Sequence, residues 1–407
     1  MNKDQLLEII ANGENSGIEF KKDISNNRSF AKEVVALANA HGGYIIIGVS
    51  DNSIITGITS DSIEEWVMTT CRDKIRPEII PYFEIIKNVE NRKHVAIVRV
   101  ERGWTVHHLW HNNHKTYYIR AGSQSREASW EELERLGQQR GMIRAETRPV
   151  SGTSFKDLDL RRLEDYFGRV RGQYIPNYKD EYAWKNLLVN TEILSNEGDN
   201  FPCTMAGLLL FGQKPEKYLA HTGISAVAYP GNEKDYTVLD NTSIKGPIVG
   251  LFRSKDYNIE IIDPGQIEQC IFFVRRNKVP GVELKNGAVR VDKPVYPDDV
   301  IREAFVNAVV HRDYLLSATD IEVVIYNNRL EVISPGRLPN GITPERMKAG
   351  CRASRNQLLK DVLRDYGYME HMGMGVPRKI IKGMKAHNNT EPDLIEDEEQ
   401  FILKLFA

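Results

Sequence analysis

Three acids and a lysine stand close together near the start of the chain: Glu14, Glu19, Lys21 and Asp51. Three carboxylates offer the hard oxygen ligands that suit Mg²⁺ or Mn²⁺, and such an ion activates water and stabilises charge on a transferring phosphoryl group. Lys21, one strand step beyond Glu19, would hold the phosphate. The competing reading makes all four a solvated strand edge. A second set lies far along the chain. Glu303 and Asn307 are one helical turn apart in an otherwise apolar helix, where an asparagine costs stability unless it finds partners. Gly336, Gly373 and Gly375 lie in turns, the last two feeding a helix start of the kind that suits polyphosphate. A third set, His107, His108, His111 and His114, invites zinc or serves as polar residues on a hairpin.

The elements that must carry these residues follow from periodicity. Ile18 and Phe20 alternate with Glu19 and Lys21, which predicts a half-buried strand with the charged pair on its polar face. Residues 29–40 have helical spacing, His41-Gly42-Gly43 stops that helix, and residues 44–49 read as a continuous apolar strand. Helices are expected over 1–12 and 60–76, the latter capped by Asp61 or Ser62, and strands over 82–86 and 94–100 in the same sheet. Asn112-Asn113 marks a hairpin turn, and residues 117–126 form a closing strand and loop.

Further on, 157–169, 247–253 and 264–278 read as helices, 204–212 as a buried helix or strand, and 224–229 as a strand. Asp298 is expected to cap the helix that carries Glu303 and Asn307. Two strands, 321–326 and 330–334, flank an Asn327-Asn328 turn and close on Ser334-Pro335-Gly336. Ser354-Arg355-Asn356 opens a further helix.

The N-terminal order E-x4-E-F-K, a helix ending A-N-A-H-G-G, and a strand closing on G-V-x-D resembles the Schlafen AlbA-type domain over roughly the first 145 residues. In Schlafen members that cut RNA, the resemblance implies a metal site on Glu14, Glu19 and Asp51, with Arg120 and Arg126 meeting nucleic acid. Antiviral defence is the setting that analogy suggests. The structural zinc of such domains uses cysteines, which are missing around His107–His114. Residues 180–212 resemble the middle segment of bacterial proteins described as transcriptional regulators. The E-x-x-x-N helix, S-P-G turn, S-R-N helix and G-x-G turn, in that order, resemble the divergent GHKL ATP-binding fold. That resemblance implies ATP, with Asn307 on Mg²⁺ and Glu303 activating water. Ser334 stands where such proteins place an adenine-reading aspartate, and Arg312 is a candidate for phosphate.

These readings predict an α+β chain in three parts: a Schlafen AlbA-like domain over 1–148, a mostly helical, winged-helix-like middle over 149–295, and a GHKL-like α/β sandwich over 296–407. At 407 residues the chain exceeds a single core. Four cysteines spaced far apart argue against a disulfide frame. No apolar run of about 20 residues is present, so a cytoplasmic protein without membrane contact is expected. A net charge of −2 rules out a wholly basic nucleic-acid binder and leaves local basic runs such as 171–179 and 275–278.

The functional expectation is a nucleotide-regulated, metal-dependent endonuclease, RNA favoured over DNA. The alternative is an ATP-binding transcriptional regulator that binds DNA without cutting it. A lone Schlafen-type lobe supplies one wall of a groove, so a homo-oligomer is expected, with Arg120 or Arg126 lining the groove.

Overall fold

The computed structural model describes residues 1–60, 62–255, 258–278, 281–285, 289–339, 342–351, 354–369, 375–397 and 399–407. The chain divides into two compact units, Met1–Ile143 and Arg144–Ala407.

The first unit is built on a four-stranded sheet, in the order Ile18–Lys21, Gly42–Ile47, Lys93–Glu101, Tyr82–Glu90. The first two strands run parallel, with Glu19 opposite Ile45, because helix Asn27–Asn39 crosses between them. Alternate residues of the second strand feed different cores. Ile45 and Ile47 pack with Phe30, Val34 and Leu37 of that helix, whereas Ile46 packs with Leu6, Ile10 and Phe20.

The Gly42-Gly43 pair is a steric need. Gly43 has φ +155°, and a Cβ there would lie 2.3 Å from the Gly17 carbonyl oxygen, to which Tyr44 N–H donates at 2.8 Å. Asn112 and Asn113 take φ +48° and +61° at the turn of the His108–His111 and His114–Thr116 hairpin, as a tight primed turn requires. Helix Ile63–Lys74 starts after Ser62, whose side chain makes no capping bond; Asp61, the other expected cap, lies outside the described residues.

The second unit has a six-stranded sheet: Asp240–Ile244, Ile224–Ala228, Ile321–Ile325, Arg329–Pro335, Gln400–Phe406, Asp393–Glu396. Ile224–Ala228 runs parallel to Ile321–Ile325, and every other neighbour is antiparallel. This corrects the expected division at residue 295. Two strands of the middle region belong to the same sheet as the C-terminal strands, and one apolar core runs from Leu158 to Leu405. The middle region is therefore not a separate, mostly helical body.

Helix Met205–Phe211 is buried in this core from Ala206 to Phe211. The expected helix over 247–253 is replaced by strand Leu251–Lys255, paired with Asn258–Asp263; Pro247 and Gly250 disfavour a helix there. Helix Leu160–Glu164 continues as a wider turn over Asp165–Val170. Pro297 rather than Asp298 precedes helix Asp298–His311, and Asp298 instead pairs with Arg275. Among the described residues no helix is long and apolar enough to cross a membrane.

Candidate functional site

In the first unit Glu19, the central acid of the predicted set, does not stand on a solvated edge. Glu19 is 7% exposed, because strand Ile18–Lys21 turns that face toward helix Asn27–Asn39 and Arg120. The Arg120 side chain is 1% exposed. It donates to Glu19 Oε2 at 2.8 Å and to Glu33 Oε2 at 3.2 Å, and to the Asn15 carbonyl oxygen at 2.7 Å. Lys21 takes the other Glu19 oxygen, and Ser125 Oγ donates to Glu33. Two buried carboxylates thus share one buried guanidinium and a lysine, which is how buried charge becomes tolerable.

Glu14 is half-buried and its Oε1 accepts the Phe20 N–H at 2.7 Å. Burial, and then the charges of Glu19 and Asp51, push its carboxyl above the usual range. The three predicted acids therefore share one electrostatic field, with Asp51 exposed. The fit to a divalent cation is nonetheless poor. Both Glu19 oxygens are engaged by cations of the chain, and among the described residues no group of three His, Cys, Asp or Glu side chains is arranged to hold a metal.

Arg120 is thus an internal clamp rather than a groove-lining group. Arg126 is exposed and forms a two-point pair with Glu132, at 2.9 Å and 2.5 Å. The histidines split by role. His107 is buried, its N–H donates to Asn39 Oδ1 at 2.9 Å, and its Nδ1 donates to the Pro77 carbonyl at 2.8 Å. His111 faces His114 across the hairpin turn. Sequence reading missed Glu33, and it missed that Ser125 and Asn39 bond inward. Asn39, from the A-N-A-H-G-G run, bonds the backbone of both His107 and Tyr118.

In the second unit the predicted nucleotide residues converge. Glu303, Asn307, Ser334, Gly336 and Gly375 all line one cavity of about 1060 Å³, its open mouth included, together with His311, Arg337, Ser354 and Lys360. Apolar groups such as Val332, Leu338, Ile342, Phe401 and Leu403 complete its walls. Asn307 Nδ2 donates to Glu303 Oε1 at 3.1 Å, which supplies the partner a helix-borne asparagine needs. Its amide oxygen takes no part in that bond. Lys379 Nζ lies 3.7 Å from Glu303 Oε2.

Gly375 lies directly against Glu303: a Cβ there would lie 1.7 Å from Glu303 Oε1, so a side chain would push that carboxylate aside. Gly336 combines φ +102° with a Cβ position 2.5 Å from Asp313 and from Arg355 Nη1. Gly373 lies outside the described residues.

Residues 14–129 match the family model "Schlafen, AlbA_2". Residues 318–405 match "Putative ATP-dependent DNA helicase recG C-terminal". The chain joins a Schlafen AlbA_2 domain to an ATPase-like C-terminal domain. No curated protein matches the chain. A crystal structure of the DIP2311 protein from Corynebacterium diphtheriae aligns over 99% of this chain and 80% of that chain, at 20% identity and a TM-score of 0.48.

The matched stretch of the ATPase-like domain begins after helix Asp298–His311, so Glu303 and Asn307 join it through the fold rather than the match. Within this domain two expectations are corrected. Arg312 is 1% exposed and donates to the carbonyl oxygens of His221, Leu316 and Thr319 at 2.5, 3.1 and 2.8 Å. It knits a loop and is away from the cavity lining.

The S-R-N run is a clamp on the end of the same helix. Arg355 donates to His311 O at 2.9 Å and Asn356 Nδ2 to Val310 O and Arg312 O at 2.9 and 2.8 Å. Ser334 lines the cavity, but its hydroxyl donates to Ala308 O at 2.8 Å. His311, four residues beyond Asn307 and on the helical face that the spacing allows it, lines the cavity as well.

Proposed function

We propose that the protein is a nucleotide-responsive nucleic-acid-binding regulator. Its ATPase-like domain binds ATP with Mg²⁺, and its Schlafen domain binds nucleic acid without cutting it. The observation that carries the nucleotide half is the convergence of Glu303, Asn307, Ser334, Gly336 and Gly375, drawn from separate stretches, on one cavity. When bound, Mg²⁺ would neutralise phosphate charge. Asn307 is suited to coordinate it through the amide oxygen, and Glu303, held by Asn307 and Lys379, is suited to orient water. Gly375 keeps the wall beside that carboxylate free of a side chain. The nucleic-acid half rests on the Schlafen match. Binding without cutting is supported by Glu19, whose oxygens are engaged by Arg120 and Lys21.

One observation favours a second reading, a metal-dependent endonuclease on RNA. Glu14 feels the charges of both Glu19 and Asp51, and an acid cluster of this kind gains from a cation. One experiment separates the two. RNA and DNA panels are incubated with the full chain and Mn²⁺, and retention and cleavage are scored for wild type and Glu19→Gln. Retention without products supports the regulator; cleavage by wild type that Glu19→Gln abolishes replaces it with the endonuclease.

The ATP half is tested by melting. A ligand at 100-fold excess over its dissociation constant stabilises the native state by about 2.7 kcal/mol, so millimolar ATP with Mg²⁺ should raise the melting temperature of wild type. In Asn307→Ala protein the rise should shrink. No rise in wild type, or an equal rise in both, removes the nucleotide site from this cavity.

A further inference from the structure

Helix Asp298–His311 sets Glu303, Asn307 and His311 at successive i, i+4 positions, and all three line the cavity. At 1.5 Å rise per residue they span about 12 Å, a length comparable to a nucleoside triphosphate. The two ends differ in chemistry. At one end Glu303 carries Lys379 and the Gly375 wall, the setting for phosphate and its cation. At the other end His311 stands beside the turn Ser334–Gly336: Ser334 Oγ bonds Ala308 O, and Arg355, packed on Gly336, bonds His311 O. Leu338, Pro339 and Ile342, which follow that turn, also line the cavity and offer apolar surface to a flat base.

The polar inventory at this end is specific. The Ser334 proton is already given to the helix backbone. Among the described residues, His311 Nδ1 is buried and has no hydrogen-bond partner. Buried nitrogens of this kind are nearly always bonded in native structures, and the residue that carries this one lines the ligand cavity. Burial, and then the charges of the cations Arg355 and Lys360, keep the imidazole neutral. A neutral imidazole has one donor and one acceptor nitrogen, which matches the edge of a purine.

We propose that His311 is the base-reading residue of the cavity, its Nδ1 forming a hydrogen bond with the purine edge of the bound nucleoside triphosphate. This rests on the nucleotide reading above and assigns to His311 the task that Ser334 cannot perform with its proton. The base then lies toward the Ser334–Gly336 turn and the phosphates toward Glu303.

The test uses calorimetric affinities of the full chain for ATP and for inorganic tripolyphosphate, each with Mg²⁺, in wild type, His311→Ala, His311→Asn and Asn307→Ala. Loss of one net hydrogen bond corresponds to about 3- to 10-fold in affinity. His311→Ala should lose that much for ATP and nothing for tripolyphosphate. His311→Asn, which keeps a polar atom at the Nδ1 position, should recover most of the loss, and Asn307→Ala should weaken both ligands. Unliganded melting temperatures verify that each variant is folded. Equal weakening of both ligands by His311→Ala would place the contact on phosphate and overturn the inference, as would unchanged ATP affinity. Wild type that binds neither ligand overturns the nucleotide reading itself, a different outcome from either.

Discussion

At the scale of single residues, burial and the neighbouring cations Arg355 and Lys360 push the His311 imidazole down to about 4, from an ordinary 6.5. Between those values the unfolded chain carries a proton on this residue that the native chain refuses. Stability attributable to His311 is therefore intact above pH 6.5 and falls as pH drops toward 4. With about 1.36 kcal/mol per pKa unit, the full change is at most roughly 3 kcal/mol. Glu303, Cys351 and Lys360 line the same cavity, so the measurement is a difference: unfolding free energy of wild type minus His311→Asn across pH 4–7. The difference is expected to shift against wild type as pH falls, and a flat difference would show that the ring is freely protonated in the native state. Glu14 is the converse case, an acid whose proton is retained more strongly in the folded chain because burial and like charges oppose its ionisation.

At the scale of elements, the end of helix Asp298–His311 is held by donors from far along the chain. The last carbonyls of any helix lack intrahelical partners; here Val310 O and Arg312 O share Asn356 Nδ2, and His311 O takes Arg355. Asn356 is 0% exposed, so Asn356→Ala leaves two buried acceptors unpaired. It is expected to cost about 2–4 kcal/mol, measured as a lower urea midpoint with unchanged slope. A cost below about 0.5 kcal/mol would mean that water reaches those carbonyls.

The clamp also explains a limit of sequence reading. A polar run that opens a helix looks the same whether its donors meet a ligand or the carbonyls of another helix, so S-R-N is legible as a helix start and its clamping role is not. The helix itself was legible, because its apolar period and the i, i+4 spacing of Glu303 and Asn307 are local. So were the glycine pair between helix Asn27–Asn39 and the apolar strand and the turn at Asn112-Asn113, where backbone sterics decide, and the Asn327-Asn328 connection of two paired strands. Glu33 was not legible: its guanidinium partner lies 87 residues away, and a glutamate on an amphipathic helix looks solvent-facing until the sheet covers it. For the same reason Arg120 was read as a groove residue, since an arginine in a closing loop gives no local sign that two buried glutamates await it.

At the scale of the whole molecule, each unit carries its own apolar core. Fragment 144–407 should fold and keep the ATP-induced rise in melting temperature, and fragment 1–143 should keep nucleic-acid retention. Fragment 296–407, cut where the resemblance to an ATP-binding fold suggested a boundary, should fail to fold. It lacks the strand Ile224–Ala228 that pairs with Ile321–Ile325, and the buried helix Met205–Phe211. Circular dichroism and urea titration of the three fragments decide this, and a cooperative transition in 296–407 would refute it.

The same parallel pairing bears on how the protein is made in a cell. Ala228 leaves the ribosome well before Ile325, its partner in the sheet. At about 5–20 residues per second, the wait is on the order of 5–20 seconds. During that time the 224–228 strand has only Asp240–Ile244 to pair with, and its other edge and the leucine-rich 205–211 helix, both destined for the interior, lack their cover. That interval makes the nascent second unit a client for chaperones that shield apolar segments. Slowing translation downstream of residue 228 should therefore lower the yield of folded chain, although it changes no residue of the finished protein.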